Sequence, residues 1–132
     1  MPAVLVVDDD PLVRDVLSQI LRRQGHTVFE APDADTALEA LAGQPIAVAL
    51  IDRYMPERDG LWLIGRIREE YPTVAIILAT GDDAIPPRFS LQPGVVGYLV
   101  KPIAPELLLS AVSDGAAWHD VAGRHQRERD HG

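Results

Sequence analysis

The chain has 132 residues, a length typical of one compact domain, and 47% of them are hydrophobic, which is enough for an ordinary core. The absence of cysteine excludes disulfides and thiolate metal sites, and the formal net charge of −8 argues against direct binding of nucleic acid, because an acidic surface repels phosphates. No apolar run approaches the roughly 20 residues of a membrane helix. No basic segment precedes the first apolar run, so we expect a cytoplasmic protein that does not engage a membrane.

Short apolar runs rich in β-branched residues alternate with segments whose apolar residues recur at helical spacing. In chain order, the first half is predicted to form a strand at 3–7, a helix capped by Asp10, a strand at 27–30, a helix capped by Asp33 and a buried strand at 46–51. The second half is predicted to form a helix between Gly60 and Tyr71, strands at 74–79 and 97–100, and a helix that opens at Pro105.

The segment between the last two predicted strands is the least regular part of the chain. Pro86, Pro87 and Pro93 stand where the alternating pattern would place a fourth helix. Proline inside a helix costs about 3 kcal/mol or more. We therefore expect a short helix or an irregular loop between Arg88 and Gln92, within the proline-rich segment 84–94.

Strands that alternate with helices predict a parallel sheet with helices on both faces. We expect an α/β fold of the flavodoxin-like, doubly wound kind, with five strands in the order 2-1-3-4-5. Residues 1–118 are expected to form one domain. Residues 119–132 have almost no apolar side chains and many charged ones, which indicates a charged C-terminal extension or linker.

Polar side chains follow four of the predicted strands at the points where the strands end. Asp8 and Asp9 follow the first strand, Asp52 the third, Thr80 the fourth and Lys101 the fifth. The carboxyl ends of parallel strands meet at one edge of the sheet, so these groups should share a pocket. Three carboxylates repel one another, and a hard divalent cation such as Mg²⁺ relieves that repulsion. A carboxylate at the floor of such a pocket can act as a nucleophile toward phosphorus.

These residues and their spacing resemble the receiver domain of two-component response regulators, over about residues 3–115. The matching motifs are Val6-Val7-Asp8-Asp9, Asp52 with Met55-Pro56 and Asp59-Gly60, Thr80-Gly81, Gly97-Tyr98 and Lys101-Pro102. The resemblance implies that residues 1–118 are a receiver domain. It also implies a regulatory phosphoacceptor that catalyses only its own phosphorylation and dephosphorylation and has no other enzymatic activity.

The resemblance also implies roles for individual residues. Asp52 is the expected phosphoacceptor, and the expected donor is the phosphohistidine of a histidine kinase or of a histidine phosphotransfer protein. Mg²⁺ is expected on Asp9, Asp52 and the backbone carbonyl of Tyr54, with Asp8 assisting through water. Further expected roles are phosphoryl binding or switching for Thr80, Lys101 and Tyr98, and a cis peptide bond for Pro102.

Two other functions remain open from the sequence. Asp8-x-Asp10 after the first strand superficially fits a Mg²⁺-dependent phosphatase with an aspartyl nucleophile, although Leu12 stands where that family has Thr or Val. A degenerate receiver that acts only as a docking module is the other alternative, and the irregular segment 84–94 favours it. The sequence leaves the downstream partner or output domain and the oligomeric state undetermined.

Overall fold

The computed structural model describes residues 3–81 and 94–131, which form one five-stranded parallel sheet and four helices. The elements in chain order are β1 (Ala3–Val7), α1 (Pro11–Arg23), β2 (Thr27–Ala31), α2 (Ala34–Gly43), β3 (Ile46–Asp52), α3 (Gly60–Glu70), β4 (Ala75–Thr80), β5 (Val95–Val100) and α4 (Pro105–His131). The strand order is β2-β1-β3-β4-β5, which confirms the predicted doubly wound topology.

Aspartate side chains cap the first three helices at their amino ends. In each case the carboxylate accepts a hydrogen bond from a backbone N–H of the first turn, at 2.8–3.0 Å. The capping residues are Asp10 for α1, Asp33 for α2 and Asp59 for α3. An N-cap of this kind satisfies an amide that the helix itself leaves unpaired. The predicted caps at Asp10 and Asp33 are therefore confirmed.

The core consists of two apolar layers, one on each face of the sheet. Every residue of β1, β3 and β4 is buried, as expected for central strands covered on both sides. Side chains of α2 and α3 pack on one face, and side chains of α1 and α4 pack on the other. Trp62 packs against the first of these layers and Trp118 against the second. The predicted helices on both faces are thus confirmed.

The register of the sheet brings the carboxyl ends of the strands to one edge. Val7 of β1 lies opposite Ile51 of β3, and the next residues along these strands are Asp8 and Asp52. On the other side of β3, Asp52 lies opposite Ala79, and Thr80 follows it. The strand order reverses between β1 and β3, which is where doubly wound sheets place their functional groups.

Two predictions concern the segment before β5 and the C-terminal end of the chain. The irregular segment predicted at 84–94 falls almost wholly on residues 82–93, which lie outside the described residues. The C-terminal helix α4 runs without a break through positions 118 and 119, and His119 Nδ1 lies 2.6 Å from the carbonyl oxygen of Thr73. The boundary between a domain and an extension at this point stays a prediction. In the described ranges, no helix combines the length and the apolar character needed to cross a bilayer.

Candidate functional site

Three carboxylates converge where β1 and β3 end side by side. Asp8, Asp9 and Asp52 each offer one carboxylate oxygen, and these oxygens all lie within 4.8 Å of one another. Asp8 and Asp52 are buried, whereas Asp9 is exposed. The fold therefore brings together the three acidic residues that the sequence assigned to one pocket.

Both carboxylate oxygens of Asp8 are held by neighbouring groups. Its Oδ1 accepts a hydrogen bond of 2.9 Å from the backbone N–H of Asp10. Its Oδ2 accepts one of 2.7 Å from Nζ of Lys101. Because both oxygens of Asp8 already accept hydrogen bonds, Asp9 and Asp52 are the carboxylates better placed to contact a ligand directly.

Asp52 is buried next to another negative charge, and this environment changes its ionisation. Burial first, and then the charge of Asp8, raise the pKa of Asp52 to about 6, against the opposing effect of Lys101. The backbone N–H of Tyr54 lies 3.4 Å from Asp52 Oδ1 and weakly favours the ionised form. Perturbed carboxylates of this kind are common at functional sites.

Lys101 directly follows the edge strand β5 and supplies a positively charged side chain to the pocket. Its Nζ lies 2.7 Å from Asp8 Oδ2 and 3.3 Å from Asp52 Oδ1. Burial opposes the charge of this ammonium group, but hydrogen bonding and attraction to Asp8 and Asp52 outweigh burial and raise the pKa of Lys101. Lys101 therefore stays protonated beside Asp8 and Asp52.

Thr80 and Tyr98 lie on β4 and β5, and Pro102 follows β5. Thr80 is fully buried at the end of β4, and its carbonyl oxygen accepts a 2.7 Å hydrogen bond from the backbone N–H of Lys101. Tyr98 lies on β5 opposite Leu78, with 37% of its surface exposed. The peptide bond between Lys101 and Pro102 is cis. Thr80 thus belongs to the same edge as Asp52, while Tyr98 lies two residues back from the end of β5.

The loop after Asp52 is held by backbone contacts to its neighbours. The N–H of Arg53 donates to the carbonyl of Ala79, and the carbonyl of Arg53 accepts from the N–H of Gly60, both at 2.8 Å. A Cβ atom at Gly60 would overlap the carbonyl oxygen of Asp52 and stand 2.9 Å from Cα of Arg53. Glycine at this position therefore allows α3 to begin directly against the backbone of the acidic strand end.

The donor set suits a hard divalent cation. Magnesium prefers one or two carboxylates together with water and other oxygen ligands, and this pocket presents one exposed and two buried carboxylates. Burial first, and the charge of Asp8 second, raise the pKa of Asp52, and Lys101 offsets these two effects only in part. A bound cation would add to that offset, so the residues present fit a metal site.

Sequence reasoning missed Arg14, which contacts the pocket from α1. Its Nη1 donates a 2.7 Å hydrogen bond to the carbonyl oxygen of Asp8. Arg14 is a polar residue inside a predicted helix and belongs to none of the recognised motifs, so its role is visible only from the folded structure. The steric role of Gly60 was missed for a similar reason, although the motif that contains it was recognised.

A shallow apolar groove adjoins the pocket. It has a volume of about 490 Å³ and lies between α1 and the segment that follows β5. Its lining residues are Leu12, Val13, Val16, Leu17, Lys101, Pro102 and Ile103. Leu12 is 77% exposed and Val16 is 56% exposed, and the two side chains line the same groove one helical turn apart.

The chain matches known proteins over most of its length. Residues 4–113 match the response regulator receiver domain. The transcriptional regulatory protein AruR of Pseudomonas aeruginosa is 41% identical over 118 residues, with 83% of this chain and 47% of that protein covered. An uncharacterised 14.6 kDa protein of Leptolyngbya boryana is 37% identical over 114 residues, with 83% of this chain and 86% of that protein covered.

Solved structures of receiver domains also resemble this chain. A CheY-like receiver domain protein of Methanospirillum hungatei superposes with a TM-score of 0.84 at 28% identity, covering 92% of this chain and 98% of that one. A receiver protein of Pseudomonas putida superposes with a TM-score of 0.79 at 34% identity, covering 85% and 95%. The chain spans 47% of AruR and 24% of the response regulator FleR of the same organism, so it corresponds to only a part of those curated relatives.

Proposed function

Because the chain belongs to the response regulator receiver domain family, whose members are phosphorylation-dependent switches of two-component signalling, we propose that Asp52 is the residue that accepts the phosphoryl group. The observation that carries this assignment is the position of its carboxylate. It is buried at the end of the central strand, shares its pocket with two further carboxylates and lies 3.3 Å from the ammonium group of Lys101.

The proposed reaction is a transfer from a phosphohistidine to Asp52. An oxygen of the Asp52 carboxylate attacks phosphorus, the P–O bond forms as the P–N bond breaks, and the electrons of that bond return to the imidazole nitrogen. The product is an acyl phosphate. Lys101 is close enough to exchange part of its interaction with Asp52 for one with the new phosphoryl oxygens, a charge-assisted contact. Thr80, at the same edge, is the proposed hydroxyl donor to the phosphoryl group.

We propose that the site binds Mg²⁺. The ligands would be Asp9, Asp52 and the backbone carbonyl of Tyr54, and Asp8 would contribute through water. The two hydrogen bonds that already engage the Asp8 carboxylate support an indirect role for that residue. When bound, the cation neutralises charge that develops on the transferred group. Asp9 is the one exposed carboxylate of the three, and it is therefore the proposed point of first contact.

The proposed signal is a change of packing near β4 and β5. Phosphorylation adds about −1.5 to −2 charges near neutral pH, next to Lys101 and Thr80. A change of that size can bias two packings that differ by a few kcal/mol. Tyr98 is the proposed aromatic switch, because its strand lies at the edge of the sheet and its side chain is partly exposed.

The apolar groove beside the pocket supports the proposed donor. A phosphohistidine has to approach the acidic pocket closely, and the exposed Leu12 and Val16 lie on the helix that borders it. An apolar face on the helices of a histidine kinase or a histidine phosphotransfer protein would cover these side chains during transfer. A cytoplasmic location for this encounter belongs to the same proposal.

The test is the intact mass of the protein after incubation with acetyl phosphate and Mg²⁺. The wild type should gain one phosphoryl group, and Asp52→Ala should gain none. Asp15→Ala is the matched control, since Asp15 is an exposed aspartate of α1 whose carboxylate bonds to Gln19. It should gain the group as the wild type does. A gain retained by Asp52→Ala would contradict the assignment and move the nucleophile to another carboxylate, which is Asp8 in the phosphatase alternative. No gain in any of the three proteins would favour the docking module.

A further inference from the structure

Arg14 bridges the turn after β1 to the neighbouring strand β2. Its Nη1 donates a hydrogen bond of 2.7 Å to the carbonyl oxygen of Asp8, and its Nε lies 3.5 Å from Oε1 of Glu30. Only 19% of the Arg14 side chain is exposed. The planar guanidinium group is suited to hold two acceptors in a fixed relation. Neither Arg14 nor Glu30 has a role in the proposed phosphotransfer reaction.

The acceptor of the Arg14 bond belongs to the peptide group that joins Asp8 to Asp9. Since a peptide group is planar, a bond that fixes its carbonyl oxygen also fixes the amide nitrogen of Asp9. The bond thereby restricts the position of the Asp9 Cα, the atom from which the side chain leaves the backbone. The Asp8 carboxylate has its own partners, whereas the exposed Asp9 carboxylate makes no hydrogen bond or ion pair with any other residue in 3–81 or 94–131.

We propose that Arg14 is a positioning residue for Asp9: it holds the peptide between Asp8 and Asp9 so that the Asp9 carboxylate points at the divalent cation, and Glu30 holds Arg14 in turn. The inference rests on the proposed function, because it requires the metal site described there. Residues that orient metal ligands typically affect metal affinity by about 10- to 100-fold when they are changed.

Positioning and simple electrostatics make opposite predictions for this residue. Arg14 carries a positive charge near a cation site, and that charge repels the metal. If charge alone mattered, removal of the guanidinium would tighten Mg²⁺ binding. If Arg14 orients Asp9, the same substitution weakens binding, because Asp9 then samples directions that do not reach the metal.

The experiment is calorimetric titration of Mg²⁺ into the wild type, Arg14→Gln and the control Arg23→Gln. Arg23 is an exposed arginine in the last turn of α1, so its substitution removes the same charge from the same helix and leaves the pair of Arg14 and Glu30 in place. The dissociation constant should rise on the order of 10-fold for Arg14→Gln and stay unchanged for Arg23→Gln. An unchanged or lower dissociation constant for Arg14→Gln overturns the inference and leaves the acceptor role of Asp52 intact.

Arg14→Lys keeps the test valid if the glutamine variant folds poorly. Lysine retains the charge but has no rigid fork with which to hold Asp8 and Glu30 together, so Mg²⁺ binding should again be weaker than in the wild type. Wild-type affinity in this variant overturns the inference. In the NMR spectrum the amide resonance of Asp9 should shift in both Arg14 variants and stay in place in Arg23→Gln. A wild type that binds no Mg²⁺ at millimolar concentration would overturn the metal assignment together with this inference.

Discussion

The strands β3 and β5 both lead into the acidic pocket, yet they differ in burial. All seven residues of β3 are buried, and the strand lies at the centre of the sheet. β5 is an edge strand in which Leu99 is the buried residue, while Tyr98 and Val100 are 37% and 44% exposed. Asp52, the proposed phosphoacceptor, therefore stands on a fully buried strand, whereas Tyr98 lies on the partly exposed edge strand and Lys101 directly follows it. A shift of the edge strand would disturb fewer buried apolar contacts than a shift of β3.

The largest expected effect comes from the ionisation of Asp52 on the buried strand. Its pKa rises from 3.8 to about 6 on folding, so between these values the folded protein keeps a proton that the unfolded chain releases. Without divalent cations, the free energy of unfolding should fall as pH rises from about 4 to about 7, by up to about 3 kcal/mol from this residue. Asp52→Asn should lose this part of the decline. Urea denaturation in EDTA across this pH range measures it, and parallel profiles for the two proteins would contradict the prediction.

A second prediction concerns the close contact between α3 and the end of β3. Gly60→Ala should lower the free energy of unfolding by about 2 kcal/mol, because the added methyl group overlaps the backbone of Asp52 and Arg53. Gly65→Ala is the matched control in the same helix, where an added Cβ meets nothing within 4 Å. This control should stabilise the protein by about 0.5–1 kcal/mol, since alanine is the better helix former. Equal effects of the two substitutions, measured by urea denaturation, would remove the steric argument.

The same substitution on the two strands tests the difference in burial directly. Val48 of β3 is fully buried, so Val48→Thr places a hydroxyl group in the apolar layer. This should destabilise the protein by about 1–2 kcal/mol, because the hydroxyl loses its water without gaining a partner. The thermal midpoint should fall by several degrees. If this variant were as stable as the wild type, a buried hydroxyl group at the centre of the sheet would carry no cost and the prediction would be wrong.

The smallest effect is expected on the edge strand. Val100→Thr keeps the shape and the β-branching of a side chain that is 44% exposed. The free energy of unfolding should change by less than about 0.5 kcal/mol, as for most surface substitutions. Thermal denaturation of Val48→Thr and Val100→Thr under identical conditions gives the comparison. A loss at Val100 as large as that at Val48 would show that β5 is held as tightly as β3.

Much of the fold followed from local patterns in the sequence. The apolar run 46–51 predicted a strand buried on both faces, and the structure places all of Ile46–Asp52 in the interior. Asp10 and Asp33 were predicted as caps from their place before helical periodicity, and both accept the expected backbone hydrogen bonds. These successes share a cause, since burial and capping depend on spacing within a few residues.

The contacts that hold the site together did not follow from such patterns. The sequence placed Asp8, Asp9 and Asp52 at one edge, but it gave no means of expecting Arg14 on the carbonyl of Asp8. A side chain that bonds to a backbone carbonyl carries no periodic signal. The length of α4 was left open by the sequence: its polar second half contains little of the apolar spacing from which helices are predicted, so an extension of the last helix and a linker were both expected, and the helix extends to His131.

The ion pair between Lys101 and Asp8 joins residues that are 93 positions apart in the chain. During synthesis on a ribosome the amino-terminal part emerges first, so all three carboxylates appear long before their lysine does. A shortened nascent chain would hold a cluster of negative charges without the strand and the cation that complete it. The charges of the pocket are therefore balanced only after the part of the chain that carries Lys101 has been made and has joined the sheet.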